Sequence, residues 1–200
     1  METQIIDLTA LQAEQVEWSL RNFGAQPPHR PMLGIIEELC ELEEAQLNDV
    51  SGFDNDEDAY KAAVLDAIGD VAIYMLDYCG KRGWSMEELW DARACPAWLY
   101  DFTLGDENDG FPYFASFIKN LAHSQLKGEQ NIRGGTAKHD AVLKSTLSSV
   151  LWALDGLATA YLQREFIQIL FEVWSKVRQR NWVANPNTAH EVADGAEVQT

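Results

Sequence analysis

Residues 34–47, GIIEELCELEEAQL, read as a single helix with an unusual density of carboxylates. At roughly 100° per residue, Glu38 and Glu41, or Glu37 and Glu41, fall on one face about one turn apart, so their side chains converge. Two carboxylates roughly 4 Å apart at an effective dielectric of about 20 oppose each other by about 4 kcal/mol, so the group needs a cation, a proton or open water. Taken alone, an EExxE run is most simply a solvated acidic face. A second stretch weighs against that. Residues 63–79, AVLDAIGDVAIYMLDYC, are apolar on most sides, yet Asp66 and Asp70 interrupt one face four positions apart. Aspartate is a poor helix former and costly to bury unpaired, so the pair reads as ligands. ExxE on one helix and DxxxD on the next describe an all-oxygen site suited to magnesium.

The 200 residues, 46% of them hydrophobic and with seven tryptophans, suffice for a substantial core in one domain or two small fused ones. A formal net charge of -17 argues against a nucleic-acid backbone or an anionic membrane as the main partner. An anionic ligand must then be handled through a metal and a few placed cations. Cys40, Cys79 and Cys95 are odd in number and lack metal-type spacing, and the first two sit in apolar helical pattern. They read as reduced core thiols, which points to a cytoplasmic location. The N-terminus, METQIIDLTALQAEQ, has neither a basic n-region nor an apolar h-region, and no stretch has the length of a membrane span.

Thr9 and Gln12 suggest a capping box opening an amphipathic helix that runs to about Asn22 and stops at Gly24. The segment GAQPPHRP reads as a stiff loop because its prolines remove donors, and it delivers His29 and Arg30 just ahead of the acidic helix. Residues 48–58, NDVSGFDNDED, form a polar connector without EF-hand spacing. A third helix is expected over about 59–81, broken by Gly83, and Ser85 with Glu88 caps a further one, SMEELWDAR. Residues 104–112 read as a linker between a first unit, 1–103, and a second, 113–183, while 184–200 lack periodic hydrophobicity and read as a mobile tail.

The second unit looks like a partial copy of the first. AQL at Ala45 is answered by SQL at Ser124, AVL at Ala63 recurs at Ala141, and Glu88 and Trp90 are answered by Glu172 and Trp174, in the same order and at similar offsets. In that register Glu38 and Glu41 correspond to Phe117 and Asn120, and Asp66 and Asp70 to Lys144 and Ser148. The copy has lost its acids and kept cations: Lys127, Arg133 and Lys138 around KGEQNIRGGTAK, then Lys176, Arg178 and Arg180 in VWSKVRQRNW. A single composite site, carboxylates from one half and cations from the other, is expected at their interface.

EExxE, a spacer, DAIGD inside an apolar helix and a capped helix ending in a tryptophan-bounded basic stretch, together with WSLRNFGAQPPHRPMLGIIEELCELEEA, resemble the MazG-like nucleoside triphosphate pyrophosphohydrolases of the all-α NTP pyrophosphatase superfamily. The likeness extends over nearly the whole chain in two partial copies. It implies an all-α helical bundle in which two pseudo-repeats form an intrachain pseudo-dimer, with room for a homodimer of such chains. It further implies magnesium-dependent cleavage between the α and β phosphates to give a nucleoside monophosphate and pyrophosphate, with manganese able to substitute. The family's metal carboxylates carry over onto Glu38, Glu41 and Asp70. Its remaining acid would stand at position 67, where this chain has Ala67; Asp66, one place earlier, lies on a compatible face.

These readings assign metal binding to Glu38, Glu41, Asp66 and Asp70, the general base to Glu37, and the phosphate tail to Arg133, Lys176 and Arg180, since guanidinium binds phosphate bidentately. Trp18 and Trp182 could stack on a base, although core packing is the simpler role for both. The alternative is a non-catalytic nucleotide-binding or regulatory module of the same fold, supported mainly by Ala67.

Overall fold

The computed structural model describes residues 7–51, 57–94 and 114–186. Within them the regular structure is α-helical throughout: α1 (Leu8–Phe23), α2 (His29–Ser51), α3 (Glu57–Arg82), α4 (Met86–Asp91), α5 (Phe114–Glu129), α6 (Gly135–Ala160) and α7 (Phe166–Val177). No helix among the described residues is long and apolar enough to cross a membrane.

Each helix forms where its apolar spacing dictates. In α2, Met32, Ile35, Leu39 and Leu42 are buried at three- and four-residue intervals, while Glu37 and Glu41 on the opposite side are exposed. The helix starts earlier than expected. His29, Arg30 and Pro31 form its first turn, where a missing proline N–H removes nothing, and it continues to Ser51 instead of ending near Leu47. The cap of α1 also differs from the expected box. Asp7 accepts from the N–H groups of Thr9 (2.9 Å) and Ala10 (3.1 Å), freeing Thr9 to donate to Glu87 and Gln12 to bridge the Trp84 carbonyl and the Met86 N–H. Gly24, at φ 69, ends α1, and Ser85 caps α4 through the Glu88 N–H, both as expected. The expected linker over 104–112, Cys95 and the tail beyond residue 186 lie outside the described residues.

The long helices form two antiparallel hairpins, α2 with α3 and α5 with α6, stacked so that α5 lies on α2 and α6 on α3. Ties at one end fix their register: His29 with Glu129 (3.2 Å), the buried Tyr78 hydroxyl donating to Gln125 (2.6 Å), and Arg82 with Asp140. The short helices cross over. α4, which follows the first hairpin, packs on α6 of the second, where Arg93 reaches Asp155 (3.2 Å); α7, which follows the second, packs on α3 of the first. Trp90 and Phe166 stack where the crossing elements meet, at 4.9 Å. α1 covers α3 and α4.

α3 is therefore enclosed by other helices, and Val64, Ala67, Ile68, Val71, Ala72, Met75, Leu76, Tyr78 and Cys79 are all buried in it. Cys79 is the core thiol expected, with burial pushing it up to about 12, whereas Cys40 is exposed on α2. The closeness of α7 to α3 depends on Gly69, where an added Cβ would lie 2.4 Å from a methyl carbon of Val173. Gly69→Ala should lower stability by about 1–3 kcal/mol through overpacking despite its gain in helix propensity. In urea unfolding, Val173→Ala in the same chain should recover part of that loss; additive losses would contradict this contact.

Candidate functional site

The acids of α2 and α3 meet because the hairpin is antiparallel: Gly34 packs beside Tyr74, where an added Cβ would fall 2.6 Å from the ring, and one turn further along α2 Glu38 comes level with Asp70. Glu38 is half-buried at the centre. Its pKa is pushed from an ordinary 4.5 to about 8, first by burial and then by the charges of Asp70, Glu41, Glu37 and Asp66 in that order. The other four acids named from the sequence thus all act on Glu38. Ala67 is buried in the core beside them, so it is Asp66 that contributes charge to the cluster.

Tyr74 links this cluster to a cavity. Its hydroxyl is pushed up to about 12 by burial and by Glu38, Asp70 and Glu37, with Arg180 opposing them. Asp70, Tyr74 and Arg180 then line a cavity of about 260 Å³ together with Arg30, Gln15, Trp18, Phe23 and Trp182. Trp18 serves both readings: it is buried edge-on against Trp174 at 5.7 Å and donates to the Arg180 carbonyl (3.2 Å), yet it also forms part of the wall. Trp182 is pinned through its backbone N–H, which donates to the Asn22 side-chain oxygen (2.8 Å). Gln15 is only 2% exposed, and its side-chain amide oxygen Oε1 has no hydrogen-bond partner among the described residues. A buried unpaired acceptor costs about 1–3 kcal/mol, so this oxygen suits a ligand donor.

The three cations named from the sequence separate. Arg180 borders the cavity. Lys176 is exposed and lies 3.5 Å from Glu172, whose carboxyl is held low by Arg164 and by Lys176. Arg133 is exposed on the α5–α6 loop, and its carbonyl accepts from Lys138 (3.5 Å). Neither Lys176 nor Arg133 lines the cavity beside Asp70. Arg30 does, since α2 begins early enough to place it there. Gln15 and Tyr74 were not singled out from the sequence; Tyr74 was accessible as the next member of the Asp66, Asp70 stripe at four-residue spacing, while Gln15 carries no such signal.

The donor set fits a hard divalent cation in chemistry, being all oxygen and mutually repelling around a half-buried carboxyl. It does not form a ready cage: among the described residues no group of three or more histidine, cysteine, aspartate or glutamate side chains is placed to hold a metal ion. Comparisons with protein-family models, curated proteins and solved structures give no match.

The raised pKa of Glu38 has a consequence for stability. The folded chain keeps a proton on Glu38 that the unfolded chain gives up near 4.5, so the group's contribution is full below that value and is lost as pH rises through about 8. In EDTA the melting temperature should fall between about pH 6 and about pH 9, and Glu38→Gln should flatten that fall. A wild-type profile that is level or rising over the same interval would contradict the crowding at Glu38.

Proposed function

We propose that the protein is a magnesium-dependent nucleoside triphosphate pyrophosphohydrolase of the MazG-like type, cleaving between the α and β phosphates to release a nucleoside monophosphate and pyrophosphate. The observation that carries this reading is the convergence of four carboxylates on a half-buried fifth, Glu38, at the edge of a cavity holding two arginines and an aromatic wall. The cross-over of α4 and α7 between two similar hairpins supports the tandem-repeat part of it, since each repeat then completes the other.

Glu38, Glu41, Asp66 and Asp70 would hold the metal. Bound there, magnesium supplies charge neutralisation and a template for polyphosphate. Arg30 and Arg180 bind phosphate oxygens with forked N–H donors and supply positive charge at this site in a chain whose net charge is -17. Glu37 is exposed and next to the cluster, so as a carboxylate outside the metal set it orients water and takes its proton. Trp18, Phe23 and Trp182 give the base an apolar wall, and the Gln15 oxygen accepts from an N–H on the base edge.

The absence of a ready metal cage among the described residues favours a second reading, a nucleotide-binding module without turnover. One assay separates the two. Pyrophosphate release measured over a panel of ribo- and deoxynucleoside triphosphates should require magnesium and should fall by about 100-fold or more in Glu41→Gln. Arg180→Ala should act chiefly on KM. Binding without release of pyrophosphate for every nucleotide would favour the module, and full activity in Glu41→Gln would overturn the assignment of the site.

A further inference from the structure

A second and larger cavity, about 920 Å³, opens between α4, α5 and α6 on the other side of the bundle. Its lining includes Phe117, Asn120, Lys144 and Ser148, the four positions that the internal alignment sets against Glu38, Glu41, Asp66 and Asp70. Residues far apart in sequence that pair with the acidic cluster thus share one space of their own. The chemistry of that space is inverted. Where the first cluster brings four acidic side chains, these positions bring a single basic one, and Lys144 stands where Asp66 stands in the first half.

The rest of the lining supplies an aromatic surface and polar groups. Trp84 borders the cavity, with the Lys144 ammonium 5.0 Å and the Arg82 guanidinium 4.7 Å from its ring; Arg82 is already paired with Asp140. Lys144 is exposed and Ser148 is buried, while Glu88 from α4 is the carboxylate among the lining residues. Among the described residues one ammonium is opposed by one carboxylate, too little positive charge to neutralise a triphosphate and too few acids to recruit a divalent cation. It suits a ligand with a flat apolar body, hydroxyls and one phosphate.

We propose that this cavity is a second, metal-independent site for a nucleoside monophosphate, in which the Lys144 ammonium takes the place that a metal would have beside a phosphate and Trp84 packs against the base or sugar. The choice of a nucleotide rests on the pyrophosphohydrolase reading, which would make the ligand a product of the same protein; the site itself rests on the cavity and its reversed charge.

Titration calorimetry of AMP, GMP, CMP and UMP into the full-length chain in EDTA tests it. At least one should bind, with tryptophan fluorescence changing alongside, and Lys144→Glu should weaken binding by about tenfold or more by charge reversal. Glu38→Gln and Arg180→Ala should leave this binding unchanged. Because Lys144 is exposed, its variant should keep the wild-type melting temperature and pyrophosphate release, so a failure here is separable from a failure of the proposed activity. Absence of binding of all four at millimolar concentration, or binding that is lost in Arg180→Ala and kept in Lys144→Glu, would overturn the proposal.

Discussion

Repulsion among carboxylates held against an apolar helix is the constraint around which this molecule is arranged. Glu38 is half-buried because Leu39 and Leu42 on the same helix belong to the core and draw α2 tightly onto α3. Asp70 is carried to the same place by the buried residues of α3 on either side of it, Ile68, Val71 and Ala72. Burial of the neighbours thus forces the acids together, and folding meets that cost by keeping a proton on Glu38 up to about pH 8. A position that is unfavourable for the isolated chain is the kind that a counter-charge can relieve, which is why strongly shifted groups in clefts mark functional sites.

The rest of the architecture serves to place positive and aromatic groups beside that cluster. The return of α7 onto α3 through the gap at Gly69 brings the following residues, Arg180 and Trp182, to the open side of Asp70. The early start of α2 brings Arg30 there from another direction. α1 closes the cavity with Gln15 and Trp18 and is tied down by Lys81, which bridges Asp77 (2.6 Å) and Ser19 (3.1 Å). Three distant parts of the chain therefore contribute to one small space.

Much of this was legible in the sequence where periodicity and chemistry coincide. Asp66 and Asp70 stood out because aspartate is anomalous in an apolar helix, and the structure sets both against Glu38. Individual helices were legible from three- and four-residue apolar spacing, as in α2 and α3. Helix ends were harder: Pro31 signals a break in sequence terms but is tolerated in a first turn, and Asp7 outcompeted Thr9 for the cap of α1. The cations were legible as residue types but not as positions, since charge composition alone does not say that Lys176 will face Glu172 while Arg180 turns to the cavity. Gln15 was illegible, because a buried amide has no periodic signature and its meaning comes from a wall supplied by other helices.

The two cavities make one physical contrast. The first is bordered by Asp70, one of the acids that Glu38 feels, and the second by a lysine beside an indole. Beside the first, Glu38 holds its proton because the carboxyl is half-buried amid the charges of Asp70, Glu41, Glu37 and Asp66. Calorimetric titration of manganese into the metal-free chain at about pH 7, repeated in buffers of different ionisation enthalpy, measures it directly. Release of about one proton per bound ion is expected, vanishing above about pH 9 and absent in Glu38→Gln. Binding without proton release at pH 7, or no binding at all, would contradict it.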